Sequence, residues 1–353
     1  MAFGVYLHVP FCRSRCDYCA FATWTDRSHL MTRYLDACRS QVTREVADGV
    51  PAVTSVFVGG GTPSLAPPDE LLAVLAELPL APGAELTVES NPDDLSEELL
   101  QRYVDGGVTR LSMGVQSMVP KVLAALGRTQ DPDNVRRAAE AAHAVGLPFN
   151  VDLIYGAVGE TLDDWATTLD AAIDLDPSHV SAYALTVEAG TPLADDPARQ
   201  PDDDTQADEY ELATDRLGAA GYEWYEISNW AKPGHECRHN LLYWTEGEYL
   251  AIGCAAHGHR EGRRYWNLRT PERYVEAVEA GRSPVNAGEE LDADARRVEG
   301  LQLAIRTRDG VPADAVDADV VAELDGFVER RDDRVVLTRR GRLLANEVAI
   351  RLG

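Results

Sequence analysis

Apolar positions along the chain follow two alternating periods. "GVYLHVP" (4–10), "TSVFVGGG" (54–61), "ELTVES" (85–90), "VTRLSMGVQ" (108–116), "FNVDLIYG" (149–156) and "HVSAYALTVE" (179–188) are short runs rich in β-branched residues and read as six strands. Between them the apolar residues recur every three or four positions. Met31, Tyr34, Leu35, Cys38, Val42 and Val46 form one helical stripe, and "PPDELLAVLAEL", "LSEELLQRYVDGG", "PDNVRRAAEAAHAVG" and "TLDDWATTLDAAIDL" supply further helices. Strand and helix in strict alternation predict parallel strands joined by right-handed crossovers. A closed eight-unit barrel takes ~250 residues. This alternation stops at its sixth strand, so the expected fold is α/β, with a partial six-unit (β/α) barrel over residues 1–190.

Beyond that point the pattern changes. "DDPARQPDDDTQ" is polar and proline-containing, and its carboxylates belong to a solvated connector rather than a metal site. It introduces a second segment, 191–289, in which a helix around 205–220 and a strand "YEWYEIS" precede the dense stretch "NWAKPGHECRHNLLYW". That segment is expected to cover the barrel. From 290 to 353 a helix "DADARRVEGLQLAI", a helix near "DADVVAEL" and the turn-strand-helix "RDDRVVLTRRGRLLANEVAIRL" have the order of a winged-helix-like module. Arg334, Arg339, Arg340 and Arg342 are balanced there by neighbouring acids, which favours packing or docking over phosphate binding.

Composition narrows the function. A net charge of -26 argues against a nucleic-acid partner, whose phosphates call for a basic surface. Lysine occurs only at Lys121 and Lys232, which disfavours Schiff-base chemistry. Neither a basic, apolar leader nor a run of about 18 apolar residues is present. The expectation is a cytoplasmic chain without a transmembrane segment, its six cysteines kept as thiols.

Three of those cysteines, Cys12, Cys16 and Cys19, follow the first strand. Their spacings of four and three would suit one face of a helix, a buried thiol stripe. Structural zinc usually takes four protein ligands. Pro10 and the charges at 13, 15 and 17 instead favour a loop at the barrel mouth and an iron–sulfur cluster. Glycines in "GGGTP" (59–63) let backbone N–H groups approach a ligand's carboxylate or amine. Glu89, Gln116 and Asp152 stand at or near the ends of three different strands, which a barrel brings together.

These segments, with "ESNP", "NVDLIYG" and "CRHNLLYW", resemble the radical S-adenosylmethionine superfamily over nearly the whole chain, specifically its group of oxygen-independent coproporphyrinogen III oxidases and heme chaperones. The resemblance implies that Cys12, Cys16 and Cys19 bind three irons of a 4Fe-4S cluster, and that S-adenosylmethionine chelates the fourth. It further implies Tyr6 and Tyr18 beside cluster and cofactor, and Gly60, Gly61 and Thr62 on the methionyl part. Glu89, Gln116, Arg128 and Asp152 would contact the rest, with Ala184 against the adenine.

Within the group, Phe21 replaces a further cysteine of the oxidases, and the chain starts only a few residues before Tyr6. "CRHNLLYW" matches the HNxxYW motif of the chaperones. The resemblance therefore implies a heme chaperone that passes heme to an acceptor protein, such as a respiratory-chain cytochrome. His239 would be the axial ligand, Cys237 a second choice, Tyr243 and Trp244 walls for the porphyrin, and Arg238 a propionate partner. In the alternative, His239 and Asn240 only hold a turn. His257 in "GCAAHGH" is a secondary candidate. Decarboxylation of coproporphyrinogen III is the alternative activity, and homodimerisation stays open.

Overall fold

The computed structural model describes residues 2–353. Strand β1 (Phe3–Val9) leads through the cysteine loop to α1 (Met31–Ala47), followed by β2 (Val53–Gly60), α2 (Pro68–Leu75), β3 (Leu80–Ser90) and α3 (Glu97–Asp105). Then come β4 (Arg110–Gln116), α4 (Pro120–Ala125), α5 (Pro132–Ala144), β5 (Phe149–Tyr155), α6 (Leu162–Asp174) and β6 (His179–Ala184). The six strands pair in chain order and all run parallel. Ser96 caps α3, and Thr161 with Asp164 closes a capping box on α6, so both helices start where polar side chains satisfy their free N–H groups.

Two local differences from expectation have simple causes. Helix α4 has only Val122 and Leu123 buried, too few to make a recognisable stripe. The run "HVSAYALTVE" leaves the sheet at Ala184, because Leu185 and Val187 pack instead with Val122, Ile154 and Leu193 in a small cluster beside Tyr18.

The chain continues through α7 (Asp203–Ala219), β7 (Glu223–Glu226), β8 (Asn229–Ala231), α8 (Arg238–Trp244), β9 (Glu248–Ile252), β10 (His257–Arg260), β11 (Arg263–Asn267), α9 (Pro271–Glu279) and β12 (Val285–Glu290). These strands extend the same sheet, in the order β12-β11-β10-β9-β1-β2-β3-β4-β5-β6-β8-β7. Strand β9 lies parallel to β1, and β8 lies antiparallel to β6. The barrel is therefore open. Residues 232–247 cross from the β6 edge to the β1 edge, and α8 rides in that crossing against β1 and β2.

The last segment holds α10 (Ala293–Ala304), β13 (Val311–Pro312), α11 (Ala318–Glu323), β14 (Val328–Arg331), β15 (Arg334–Leu337), α12 (Arg339–Leu343) and α13 (Ala345–Leu352). A three-stranded antiparallel sheet, β13-β15-β14, covers its own core around Leu301, Ile305, Val335 and Val348. Arg339 pairs with Glu211 and Asp215 of α7, and Arg342 stacks over Trp224 at 3.7 Å. Those two arginines are spent on packing.

Alternation along the parallel strands sorts the two faces of the sheet. Val5, Leu7, Val56, Val58, Val88, Leu111, Met113, Val151 and Leu153 are buried on the helix side. Each such side chain removed from water stabilises the fold by about 1.5–3 kcal/mol. The opposite face carries Tyr6, His8, Ser55, Glu89, Arg110, Ser112, Asn150, Asp152, His179 and Ser181. Strands of an all-parallel sheet are ordinarily apolar on both faces. A polar inner face marks an interior built to hold something.

Candidate functional site

That inner face encloses a cavity of about 680 Å³, lined from the cysteine loop at one end to α8 at the other. The loop is closed by Trp24 N–H donating to the Pro10 carbonyl at 2.8 Å and Cys12 N–H donating to the Trp24 carbonyl at 3.1 Å. His8 of β1 fixes it from below, with Nε2 2.9 Å from the Ala22 carbonyl and Nδ1 3.1 Å from the Tyr6 hydroxyl. The loop carries no helix, which removes the thiol-stripe alternative. Cys12, Cys16 and Cys19 all line the cavity.

Arg128 donates through Nη1 to Cys16 Sγ at 3.3 Å, and the Thr62 hydroxyl donates to Cys12 Sγ at 3.7 Å. Burial pushes the Cys12 and Cys19 thiols up. Among the described residues no three His, Cys, Asp or Glu side chains gather closely enough for one metal ion. Three thiols on one loop, one of them against a guanidinium, fit a soft metal centre that leaves a position for a further ligand.

The glycine motif also answers to local packing. Gly60 has φ +113°, and a Cβ there would meet the His8 ring at 2.4 Å; one on Gly61 would meet the Phe11 carbonyl oxygen at 2.6 Å. Packing of β2 against β1 and its loop already demands both glycines. The Gly60 N–H donates to Glu89 Oε2 at 3.0 Å.

Glu89 and Asp152 face the cavity with no cation in ion-pair range among the described residues. Burial, and then the nearby Asp152 charge, push Glu89 up to about 8. Burial likewise raises Asp152, which accepts from Ser112 at 2.8 Å and Asn150 at 2.7 Å. Two buried carboxyls of this kind fit a ligand that brings positive charge. Gln116 takes the left-handed conformation, φ 64°, at a register shift between β4 and β5, and of the non-glycine residues in that conformation it is the one that lines the cavity among the described residues.

At the other end, Glu85 of β3 pins the start of α8. It accepts from His239 N–H at 3.1 Å, Arg238 N–H at 3.2 Å and the Cys237 thiol at 3.6 Å. His239 is fully buried and stacks on Phe57 with ring centres 5.7 Å apart. Its Nδ1 lies 3.0 Å from Ser55 Oγ and its Nε2 2.9 Å from the Tyr243 hydroxyl, so both ring nitrogens are engaged. Burial lowers its pKa to about 4, which keeps the ring neutral. The Cys237 thiol is pushed up to about 12, also by burial.

One cavity thus joins Tyr6, Tyr18, Gly60, Gly61, Thr62, Glu89, Gln116, Arg128, Asp152 and Ala184 with Cys237, His239 and Tyr243. Helix α8 turns its His239, Asn240 and Tyr243 side inward, which leaves Arg238 and Trp244 out of the lining. Arg238, expected as a propionate partner, instead donates to the Gly83 carbonyl at 2.8 Å on the surface. His257 is exposed and stacks on Trp266. Sequence reasoning did not single out Arg110, Asn150, His179, Tyr225 or Asn229, which also line the cavity. His179 links Asn150 Oδ1 at 2.6 Å to the Tyr225 hydroxyl at 2.8 Å. The available signal was the pairing of polar residues two apart, Arg110 with Ser112, Asn150 with Asp152 and His179 with Ser181, inside otherwise apolar strands.

Comparison with known proteins bears on the family and the fold. The Radical SAM superfamily profile matches residues 6–172. Heme chaperone HemW of Mycobacterium tuberculosis (strain H37Rv) is 44% identical over 98% of this chain and 93% of its own length. HemW of Bacillus subtilis (strain 168) is 31% identical over 98% and 97%, and that of Escherichia coli (strain K12) 39% identical over 72% and 69%. In fold, coproporphyrinogen III oxidase (HemN) from Escherichia coli, a Radical SAM enzyme, superposes with a TM-score of 0.87 over 99% of this chain and 90% of that one, at 22% identity. With a radical SAM profile over its barrel and near full-length identity to these relatives, the chain belongs to the HemW family of the radical SAM superfamily.

Proposed function

We propose that this protein binds heme beside a 4Fe-4S cluster and S-adenosylmethionine, and hands the heme to an acceptor protein. The observation that carries the reading is the shared cavity, in which the cysteine loop and the His239 side of α8 are two ends of one space. Family membership supports it, since the relatives are heme chaperones by name.

Cys12, Cys16 and Cys19 would hold the cluster, with Arg128 supplying a charge-assisted hydrogen bond to one sulfur. Gly60, Gly61, Thr62, Glu89, Gln116, Arg128, Asp152 and Ala184 would hold S-adenosylmethionine, with Tyr6 and Tyr18 alongside. Glu89 and Asp152 suit its cationic end. Bound cluster and cofactor supply an iron centre capable of one-electron exchange. His239 is the heme ligand in this reading, with Cys237 the second choice and Tyr243 next to it. Its Nε2 becomes available to iron only when the Tyr243 hydroxyl turns away. Phe21, 67% exposed on the cysteine loop, offers an apolar contact for the acceptor, such as an apo-cytochrome, or for a second copy in a homodimer.

No helix among the described residues is long and apolar enough to cross a membrane. The unpaired thiols of all six cysteines fit a reducing cytoplasm, where we place the protein.

Anaerobic cluster reconstitution, followed by parallel assays of heme binding and of coproporphyrinogen III decarboxylation, tests the reading. Stoichiometric heme binding without decarboxylation is the expected result. Decarboxylation without stable heme binding would replace the chaperone with an oxidase.

A further inference from the structure

Arg110 opens β4 and faces the cavity, yet it is only 6% exposed. A guanidinium so deeply buried needs an anion or a full set of acceptors. Its one hydrogen bond runs from Nη1 to the His235 carbonyl at 2.8 Å, and among the described residues it makes no ion pair. Its other N–H groups have no protein acceptor among the described residues and open onto the cavity.

The surrounding acids are committed elsewhere. Glu85 is taken by the start of α8, Asp152 by Ser112 and Asn150, and Glu226 by Asn229 and by Asn240 at 3.1 Å. Arg110 stands at the beginning of β4, the opposite end of the parallel strands from the one that the cysteine loop follows on β1, and it bonds a carbonyl three residues ahead of α8, which places the guanidinium at the α8 end of the cavity. Ser55, on which His239 hangs, is two strands away from β4, a lateral separation of roughly 10 Å. That span is comparable to the distance from the iron of a heme to its acidic side chains.

We propose that Arg110 anchors a carboxylate of the cavity's ligand, a propionate of the porphyrin, in the role that sequence reasoning gave to Arg238. The assignment rests on the heme reading above. It makes the α8 end of the cavity selective for a tetrapyrrole with free acid side chains, held by a planar, multidentate donor.

The test titrates full-length, cluster-reconstituted protein with heme and with heme dimethyl ester, following the Soret band, and measures S-adenosylmethionine binding by calorimetry. The wild type, Arg110→Gln and Arg110→Lys are compared. In the wild type the ester is expected to bind roughly ten- to hundredfold more weakly than the acid. Arg110→Gln should weaken heme by a similar factor and abolish the preference, Arg110→Lys should keep part of it, and S-adenosylmethionine affinity should not change. Equal binding of acid and ester by the wild type would overturn the anchor without any variant having to fold. So would a preference that survives Arg110→Gln, or a loss confined to S-adenosylmethionine, which would assign Arg110 to that cofactor's carboxylate. Binding of neither porphyrin by the wild type would overturn the heme reading itself, and the anchor with it.

Discussion

The Tyr243 hydroxyl lies 2.9 Å from Nε2 of His239, the ring nitrogen that faces it across one turn of α8. Ser55 holds the other nitrogen at 3.0 Å. If Ser55 accepts from Nδ1–H, then Nε2 keeps its lone pair and Tyr243 donates to it. This is the tautomer a heme ligand needs, with a competitor already in place.

Removing the competitor should therefore help binding. Tyr243→Phe is expected to tighten heme by about 1 kcal/mol, roughly fivefold, because the unliganded state loses a neutral hydrogen bond. His239→Ala should remove the ligand and shift the Soret band. Heme titration of the two variants checks both, and an affinity unchanged in Tyr243→Phe would show that this hydroxyl does not gate the nitrogen.

Glu85 gathers two backbone N–H groups and a thiol at the start of α8. Glu85→Ala strands those donors and should cost about 2 kcal/mol. Thermal unfolding measures the loss. Hydrogen exchange should localise it to residues 238–244, and a uniform change across the chain would place the role of Glu85 elsewhere.

Arg128 puts a positive charge 3.3 Å from Cys16 Sγ. Its removal in Arg128→Met should lower the reduction potential of a reconstituted cluster, since added negative charge is then harder to accommodate. A redox titration followed by electron paramagnetic resonance reports the shift. Iron and sulfide content of the same sample separates a tuned cluster from a lost one.

A pair of buried acids outside the cavity sets a pH dependence. Glu209 of α7 is fully buried with neither carboxyl oxygen partnered, and burial, then the charges of Glu160 and Asp208, push it up to about 8. Glu160, whose Oε2 accepts from the Gly156 and Ala157 N–H groups, is pushed up to about 7 by burial. Both folded values exceed the unfolded ones. Their contribution to stability is complete below about pH 4.5 and is lost as pH rises through 7 and 8. Glu209→Gln should gain about 1 kcal/mol over the wild type at pH 8 and nothing at pH 4. Melting curves at the two pH values decide it.

The parallel core was legible because its strands and helices carry unmixed periods, and the cluster loop because three cysteines and a proline leave few alternatives. Strands β8 to β12 were not. They are short and mixed in polarity, as in "HGHR" and "VNAGEE", and are held by pairing along the sheet rather than by an apolar pattern of their own. The cavity lining was half legible. Strand-end residues such as Glu89 and Asp152 announce themselves in a barrel, whereas Arg110 stands at a strand's beginning, where a charge reads as solvent-exposed until the segment leading into α8 reaches it through the His235 carbonyl.

Strand β1 has one neighbour, β2, about fifty residues downstream, and another, β9, whose residues 248–252 are made nearly 240 residues later. On the ribosome, the strand that carries the cysteine loop therefore waits with a bare edge until most of the chain has emerged. Until then α8 cannot bridge the two edges of the sheet. The synthesis order thus favours late loading, with the cluster loop and the α8 end of the cavity becoming competent together, once the chain has passed residue 252.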